Sequence, residues 1–395
     1  MKSFAEFFAG VGLVREGLAI DAWECVWAND ISQDKKDTYV ENYGDSHFWL
    51  GDIWDVVNDE NIVPNDAFLY TASFPCTDLS VAGARAGLAG KESGTLEAFL
   101  SIVENKKKSN SHPKIIQLEN VKGFLTSHKG QDVLNTVRRL SELDYYVDIV
   151  EIDASYFTPQ SRPRVFVIAV EKSLAPSVMK IKDNQNILDN WWAIFEEQPE
   201  LRSSKIKNAV LNDESLNWAL FDIKLQNQRE MDLADIIETE IEPDSKHWWS
   251  AERKEHIFNQ MSPAHQEKLI AMTSQDHFSY GTVFRRMRKG QSMAELRTDG
   301  LAGCLRTPRG GSSKQILIQA GFNDWSVRLV SPREYARLQG VRDDFLLPEN
   351  QNKGFFAMGD AVCVPVIEFL TKEIITPTYK AWCNSASNKS LKQDK

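Results

Sequence analysis

A thiol, a carboxylate and two guanidinium groups stand along the first half of this chain, each where a short apolar run ends or begins. Cys76 lies in Ser73-Phe-Pro-Cys-Thr77, just past the run Ala67–Ala72. A free thiol is mostly protonated near neutral pH, yet its thiolate fraction is a strong nucleophile. A helix start expected at Thr77–Leu79 would favour that anion. Glu119 follows the run Lys114–Leu118. A carboxylate at that depth needs a partner; held protonated, it could donate to a ring nitrogen. Arg162 and Arg164 lead into Val165–Val170. Two apart in extended chain, they share a face and can fork onto phosphate, carboxylate or carbonyl oxygen. Singly, each has a plainer reading: a buried structural thiol, a surface glutamate beside a helix-capping Asn120, a pair of strand-entry ion pairs.

A second set of residues suggests a nucleotide-like cofactor. Phe7-Phe-Ala-Gly-Val-Gly12 is a strand running into a glycine turn. Gly10 and Gly12 allow positive φ and close backbone approach. The third glycine of a dinucleotide fingerprint is replaced by Arg15, so a pyrophosphate seat is not specified. Asp30 falls about twenty residues on, where an acid takes ribose hydroxyls. Asp52 ends the next run and could hold an adenine amino group. An adenosine cofactor without a pyrophosphate fits, and S-adenosylmethionine meets that description.

The elements that must position these groups are short apolar strands alternating with helices. Runs at Lys2–Phe8, Glu24–Ala28, His47–Leu50, Ala67–Ala72, Lys114–Leu118, Tyr145–Val150 and Val165–Val170 read as strands, and Glu97–Lys106 and Gln131–Leu143 as amphipathic helices. The pattern predicts an α/β fold with a doubly wound, mostly parallel sheet. Asp30, Asp52, Cys76 and Glu119 then line one sheet edge, where open α/β sheets bind ligands. After Glu171 the rhythm stops, which marks an inserted domain. The expected division is 1–172, 173–327 and 328–395, with an apolar helix at Val362–Ile375 and a frayed polar tail after Trp382.

With 395 residues, 42% hydrophobic and 26% charged, the composition is that of a globular protein. Its five cysteines form no CxxC pair, which argues against a zinc site or disulfide framework and for a reducing cytoplasm. No metal site is expected. Glu6, Arg15 and Glu16 interrupt the apolar amino terminus, so neither a signal peptide nor a membrane span is read there. Net charge is −10, which excludes a uniformly basic nucleic-acid binder. Asp183–Asp244 holds 15 acidic and 5 basic residues, whereas Gly281–Ile316 holds 8 basic and 2 acidic. A polyanion would choose the second segment.

Together these features resemble the DNA (cytosine-5)-methyltransferases. Phe4–Gly12 looks like that family's cofactor loop, Ser73–Thr77 its nucleophile motif, Glu119-Asn-Val121 and Gln160–Arg164 its acid and arginine motifs. Arg328–Gly340 is similar to the motif that closes its recognition domain, and Gly359-Asp-Ala-Val362 to its final cofactor turn. The chain departs from the usual pattern at Glu6 (Asp), Leu13 (Gly), Asp30 (Glu), Thr77 (Gln) and Asp360 (Asn). The resemblance implies a Rossmann-like methyltransferase domain with an inserted target-recognition domain. It implies S-adenosylmethionine held by Phe8, Gly10, Gly12, Asp30, Ile31, Asp52, Ile53, Pro75, Asp360 and Val362. It implies catalysis by Cys76, Glu119, Arg162 and Arg164 on a flipped cytosine, with Arg162 on the base's carbonyl oxygen and Arg164 bracing the Glu119 side. Ser80–Gly94 looks like the family's closing loop. DNA contacts are expected at Ser80, Arg85, Arg285, Arg306, Arg309 and Lys314. The implied setting is a monomer acting on double-stranded DNA, protecting it from a partner restriction endonuclease. A tRNA cytosine methyltransferase and an inactive DNA-binding relative stay open as alternatives.

Overall fold

The computed structural model describes residues 1–75, 94–182, 191–239, 241–242, 245–288, 290–307 and 314–393. Cys76, Thr77, Ser80, Arg85 and Arg309, and nearly all of the Ser80–Gly94 segment, lie outside the described residues. The chain divides into two compact units. The first comprises Met1–Ile152, Pro163–Gln226 and Val366–Lys395, the second Asp153–Arg162 and Asn227–Pro365.

The first unit is built on seven strands: β1 (Ser3–Phe7), β2 (Glu24–Asp30), β3 (Phe48–Leu50), β4 (Leu69–Ala72), β5 (Ile115–Val121), β6 (Tyr145–Asp153) and β7 (Pro163–Glu171). Their order is β3-β2-β1-β4-β5-β7-β6. β3, β2, β1, β4 and β5 pair in parallel, and β7 runs antiparallel to β5. Helices α1 (Leu13–Leu18), α2 (Gln33–Tyr43), α3 (Ile53–Asn58), α4 (Thr95–Lys108) and α5 (Gln131–Glu142) follow the first five strands in turn, one between each strand and the next. Strands such as Ile115–Val121 are buried almost throughout because helices cover both faces of such a sheet. Since β7 is reversed, its first residues meet the carboxyl ends of the parallel strands, and Arg164 sits opposite Val121.

The boundary expected at 173 falls instead at 227. Residues 173–226 are part of the first unit, because they finish its sheet. Val147 on β6 bridges Trp218, and the Val147 and Glu151 amides donate to the carbonyls of Asn217 and Leu201 at 2.8 and 2.7 Å. These contacts satisfy groups that an open strand edge would leave unpaired. Asp148 on the same strand is 1% exposed and takes two bonds from Arg202, at 3.1 and 2.5 Å. Trp191, Phe195, Ile206 and Trp218 join the sheet's hydrophobic core. A two-stranded pair, β8 (Lys180–Ile181) and β9 (Ala219–Leu220), completes this region.

In the second unit, β10 (Ser279–Arg288), β11 (Gln291–Arg297), β12 (Ile316–Gly321) and β13 (Asp324–Leu329) form an antiparallel sheet in the order β11-β10-β12-β13. Val283, Leu296, Ile316, Ile318 and Val327 pack with Ile257, Leu269 and Met272 from two helices beside it. Arg328–Gly340 is largely architectural. Ser331 and Glu334 make a reciprocal capping box, and Arg328, 1% exposed, gives Glu334 two bonds at 2.7 and 2.5 Å. Gly340 turns at φ 73, where a Cβ would lie 2.3 Å from Pro365.

The last helix begins at Val364, passes through a π turn at Thr371–Ile375 and continues as Thr376–Gln393. The chain is helical past Trp382, where the polar composition suggested a frayed tail. A helical stretch within Gln351–Ser387 is long and apolar enough to cross a membrane, but 72% of it is buried in the protein, as in a core helix.

Candidate active site

The carboxyl edge of the first unit's sheet gathers the carboxylates that the sequence placed there. Glu119, third from the end of β5, is 8% exposed and forms an ion pair with Arg164 Nε at 3.0 Å. Burial of a carboxylate demands such a partner. Asn120 does not cap a helix. Its Nδ2 donates to the Phe74 carbonyl at 3.1 Å and its Oδ1 accepts from Val121 N at 2.8 Å. That amide ties the end of β5 to Phe74, two residues before Cys76 in sequence.

Arg164 is on the Glu119 side, as the sequence reading had it, and Arg162 is surrounded by backbone carbonyls. Arg162 belongs to the second unit and is 2% exposed. Its guanidinium donates to the carbonyls of Leu305, Gly359 and Ala361 at 2.9, 3.1 and 2.6 Å. It fastens backbone there, a use that suits a planar multi-donor group. Arg164 is the one joined to the carboxylate. The strand begins at Pro163, so Arg162 lies outside the extended segment whose alternation would have given both side chains one face.

The glycine turn after β1 is built from left-handed residues: Phe8, Gly10 and Gly12 have φ of 55, 58 and 87. A Cβ on Gly10 would meet nothing within 4 Å, which leaves its backbone open to a ligand. A Cβ on Gly12 would lie 2.5 Å from the Tyr43 ring, so that position is fixed by packing. Asp30 accepts from Gly10 N at 3.0 Å and Ser32 N at 2.9 Å. Beside it Ile31 is 69% exposed, a large apolar surface at a strand end. Asp52 is exposed and caps α3 by accepting from Trp54 N at 3.0 Å; Ile53 behind it is buried. An adenosine fits this set. Each carboxylate oxygen has acceptor capacity beyond one amide, Ile31 offers a face for a ring, and the open Gly10 backbone admits a close neighbour. In the second unit, Asp360 ends the helix Gln351–Asp360 on the surface and Val362 is buried.

Arg15, which displaced the fingerprint's third glycine, closes this turn from below. Its Nη1 donates to Tyr39 Oη at 3.1 Å and lies 2.5 Å from His47 Nε2, and its guanidinium sits 4.4 Å from the Tyr43 ring centroid. Tyr43 bonds Glu16 and the Gly12 carbonyl. Under the turn, burial pushes the Glu6 carboxyl up to about 8, against a weaker pull from Arg15. Burial likewise pushes the Cys25 thiol up to about 12. Sequence reasoning noted Arg15 as a departure but did not find this cluster, whose members are spread over 42 residues of sequence, from Glu6 to His47.

Of the expected DNA contacts, Arg306 is exposed and Arg285 half-buried. Lys314 donates to Asn352 Oδ1 at 2.7 Å and stacks over Phe355 at 4.4 Å. Gly359 is packed so closely on the backbone of Arg306 and Thr307 that a Cβ would lie 2.7 Å from it. Among the described residues no cluster of His, Cys, Asp and Glu could hold a metal.

Comparison with known proteins finds relatives along nearly the whole chain. A family profile described as C-5 cytosine-specific DNA methylase matches residues 2–376. The chain is 24% identical to the type II methyltransferase M.HpaII of Haemophilus parainfluenzae, over 94% of this chain and 89% of the relative. It is 26% identical to M.BanI of Aneurinibacillus aneurinilyticus, over 94% and 95%, and 25% identical to M.HhaI of Haemophilus parahaemolyticus, over 94% and 93%. Among solved structures, S. pombe Dnmt2 methyltransferase aligns with a TM-score of 0.57 at 16% identity, over 95% of this chain and 98% of that one. Entamoeba histolytica methyltransferase EhMeth gives 0.58 at 13%, with the same coverage.

Proposed function

Because this chain belongs to the C-5 cytosine-specific DNA methylases, we propose that it methylates cytosine within a specific double-stranded DNA sequence through a covalent adduct on Cys76. The observation that carries this reading furthest is the Glu119–Arg164 pair at the carboxyl edge of the sheet, joined through Asn120 to the segment leading to Cys76. Carbon 5 of cytosine is a poor nucleophile. Addition of the Cys76 thiolate to carbon 6 makes carbon 5 enamine-like. Glu119 hydrogen-bonds or protonates ring N3, where negative charge would otherwise build. Arg164 holds Glu119 in place, while Arg162 braces backbone. S-adenosylmethionine, when bound, supplies an electrophilic methyl group that passes to carbon 5 and leaves its sulfur with the bonding pair. Loss of the carbon 5 proton and cleavage of the Cys76–carbon 6 bond then release the product. A stacked base cannot be reached in this way, so the cytosine is flipped out.

Phe8, Gly10, Gly12, Asp30, Ile31, Asp52, Ile53 and Pro75 are the residues of the first unit that we assign to the cofactor. The names of the type II relatives support a restriction–modification setting, with protection from an endonuclease of the same specificity. The free thiols of Cys25, Cys304, Cys363 and Cys383 support a reducing, cytoplasmic compartment. The test is incubation with methyl-labelled cofactor and either duplex DNA or tRNA. Label on DNA is expected; label on tRNA alone would replace the substrate, and label on neither would leave a DNA-binding relative. Cys76→Ala is expected to abolish transfer while cofactor binding by calorimetry persists, and transfer near the unaltered rate would remove Cys76 from the mechanism.

A further inference from the structure

We infer that the free end of the β10–β11 ribbon enters a groove of the DNA, and that Glu295 latches its two arginines until DNA displaces it. This rests on the DNA substrate proposed above. Among the described residues, β12 accompanies β10 from Ser279 to Val283. From Phe284 to Arg288 the register continues with β11, ending at Arg288 opposite Gln291; β11 is tied on its other edge at Ala294, which bridges Met261 and donates to the Gln260 carbonyl at 3.0 Å. At about 3.4 Å per residue, the end of the ribbon past that tie, Arg286–Arg288 with Gln291–Met293, runs on for about 10 Å. Gly290, at φ 79, belongs to its tight connection.

The side chains on this ribbon differ from those of an ordinary surface hairpin. Met287 is 66% exposed, and the Arg286 and Arg288 side chains are 49% and 60% exposed. Side chains alternate along a strand, and Phe284 lies opposite Glu295. Phe284, Arg286, Arg288 and Glu295 therefore share one face. Glu295 takes both guanidiniums, Arg286 at 3.4 Å and Arg288 at 2.7 Å, and Arg286 also lies 5.1 Å from the Phe284 ring centroid. Both arginines are thereby held along the ribbon in a chain whose net charge of −10 otherwise repels DNA. A two-stranded antiparallel ribbon has the width of the B-DNA major groove, where arginine forks onto guanine O6 and N7. Exposed ion pairs contribute little stability, so a base edge or phosphate can open this one. A latch of this kind also lowers grip on arbitrary sequence, because a polyanion must first displace the carboxylate.

The experiment compares Arg286→Ala, Arg288→Ala and Glu295→Gln in the full chain. Fluorescence anisotropy measures binding to a duplex carrying the methylated site, mapped by bisulfite sequencing of host DNA, and to one lacking it, across a salt series. The arginine variants are expected to weaken binding to the site by about 5- to 100-fold each and to narrow its advantage over the other duplex. Glu295→Gln is expected to tighten binding to the duplex lacking the site and to steepen the salt dependence by about one ion. Cofactor binding by calorimetry should match the unaltered chain in all three, which separates the ribbon from misfolding. Affinity, site preference and salt slope all unchanged would overturn the inference and leave the ribbon a solvated hairpin. Failure of the unaltered chain to bind or label any duplex would instead overturn the DNA substrate, and the ribbon's role with it.

Discussion

Glu119 and Arg164 show how much chemistry one contact can organise. The 3.0 Å pair keeps a nearly buried carboxylate in place, and Arg164 Nη1 also donates to the Pro163 carbonyl at 2.9 Å. Arg164→Ala is therefore expected to lower the single-turnover rate by about 10²- to 10⁴-fold, the range for a positioned general acid, because Glu119 loses the partner that holds it. Cofactor affinity should not change; a rate within about threefold of the unaltered chain would show that Glu119 does not need this partner. Glu6 supports a different prediction. Its folded carboxyl titrates near 8 rather than its usual 4.5 because burial disfavours the anion. Below about pH 4.5 both folded and unfolded chains hold the proton, and nothing is lost. Between about 4.5 and 8 only the unfolded chain releases it, so this group subtracts stability as pH rises. Glu6→Gln should thus raise the urea midpoint little at pH 5 and progressively more up to pH 8, by a few kcal/mol. A gain that is flat across that range would show that Glu6 is not held protonated.

At the scale of elements, the same residue often serves a helix and a ligand. Asp52 is the proposed adenine partner and also the N-cap of α3. Replacing it with alanine removes both, and loss of the cap alone costs about 0.5–2 kcal/mol. Asn keeps the capping acceptor but loses the charge that strengthens a bond to an amino group. Asp52→Asn is expected to keep the melting temperature and weaken cofactor binding severalfold, while Asp52→Ala lowers both. Calorimetry beside a thermal melt distinguishes them, and unchanged affinity in Asp52→Asn would count against the adenine contact. The reversed β7 is the other decisive element. A parallel strand in its place would carry Arg164 to the far end of the sheet, whereas the reversal sets it opposite Val121, two residues past Glu119.

For the molecule as a whole, the division into units depends on which segment finishes which sheet. Residues 173–226 read as part of an insertion because their strand–helix rhythm stops, yet they supply Trp218 and Arg202 to the β6 edge. Arg202→Ala strands a buried Asp148, and a broken buried pair costs about 3–5 kcal/mol. That loss should appear as a lower unfolding midpoint, and an unchanged midpoint would mean that the edge is held by backbone pairing alone. The sequence by itself determined the α/β alternation, because apolar runs of strand length between amphipathic helices have few other solutions. It also determined the row of Asp30, Asp52 and Glu119, since each stands at the close of an apolar run and strand ends in a parallel sheet share an edge. It could not show what Arg162 would meet. That turned on where the strand began and on carbonyls at Leu305, Gly359 and Ala361, about 140 to 200 residues away. Nor could it show the Arg15 cluster, the covered edge of β6 or the free β10–β11 ribbon. Each of these is a relation between distant segments, and only tertiary packing brings such segments together.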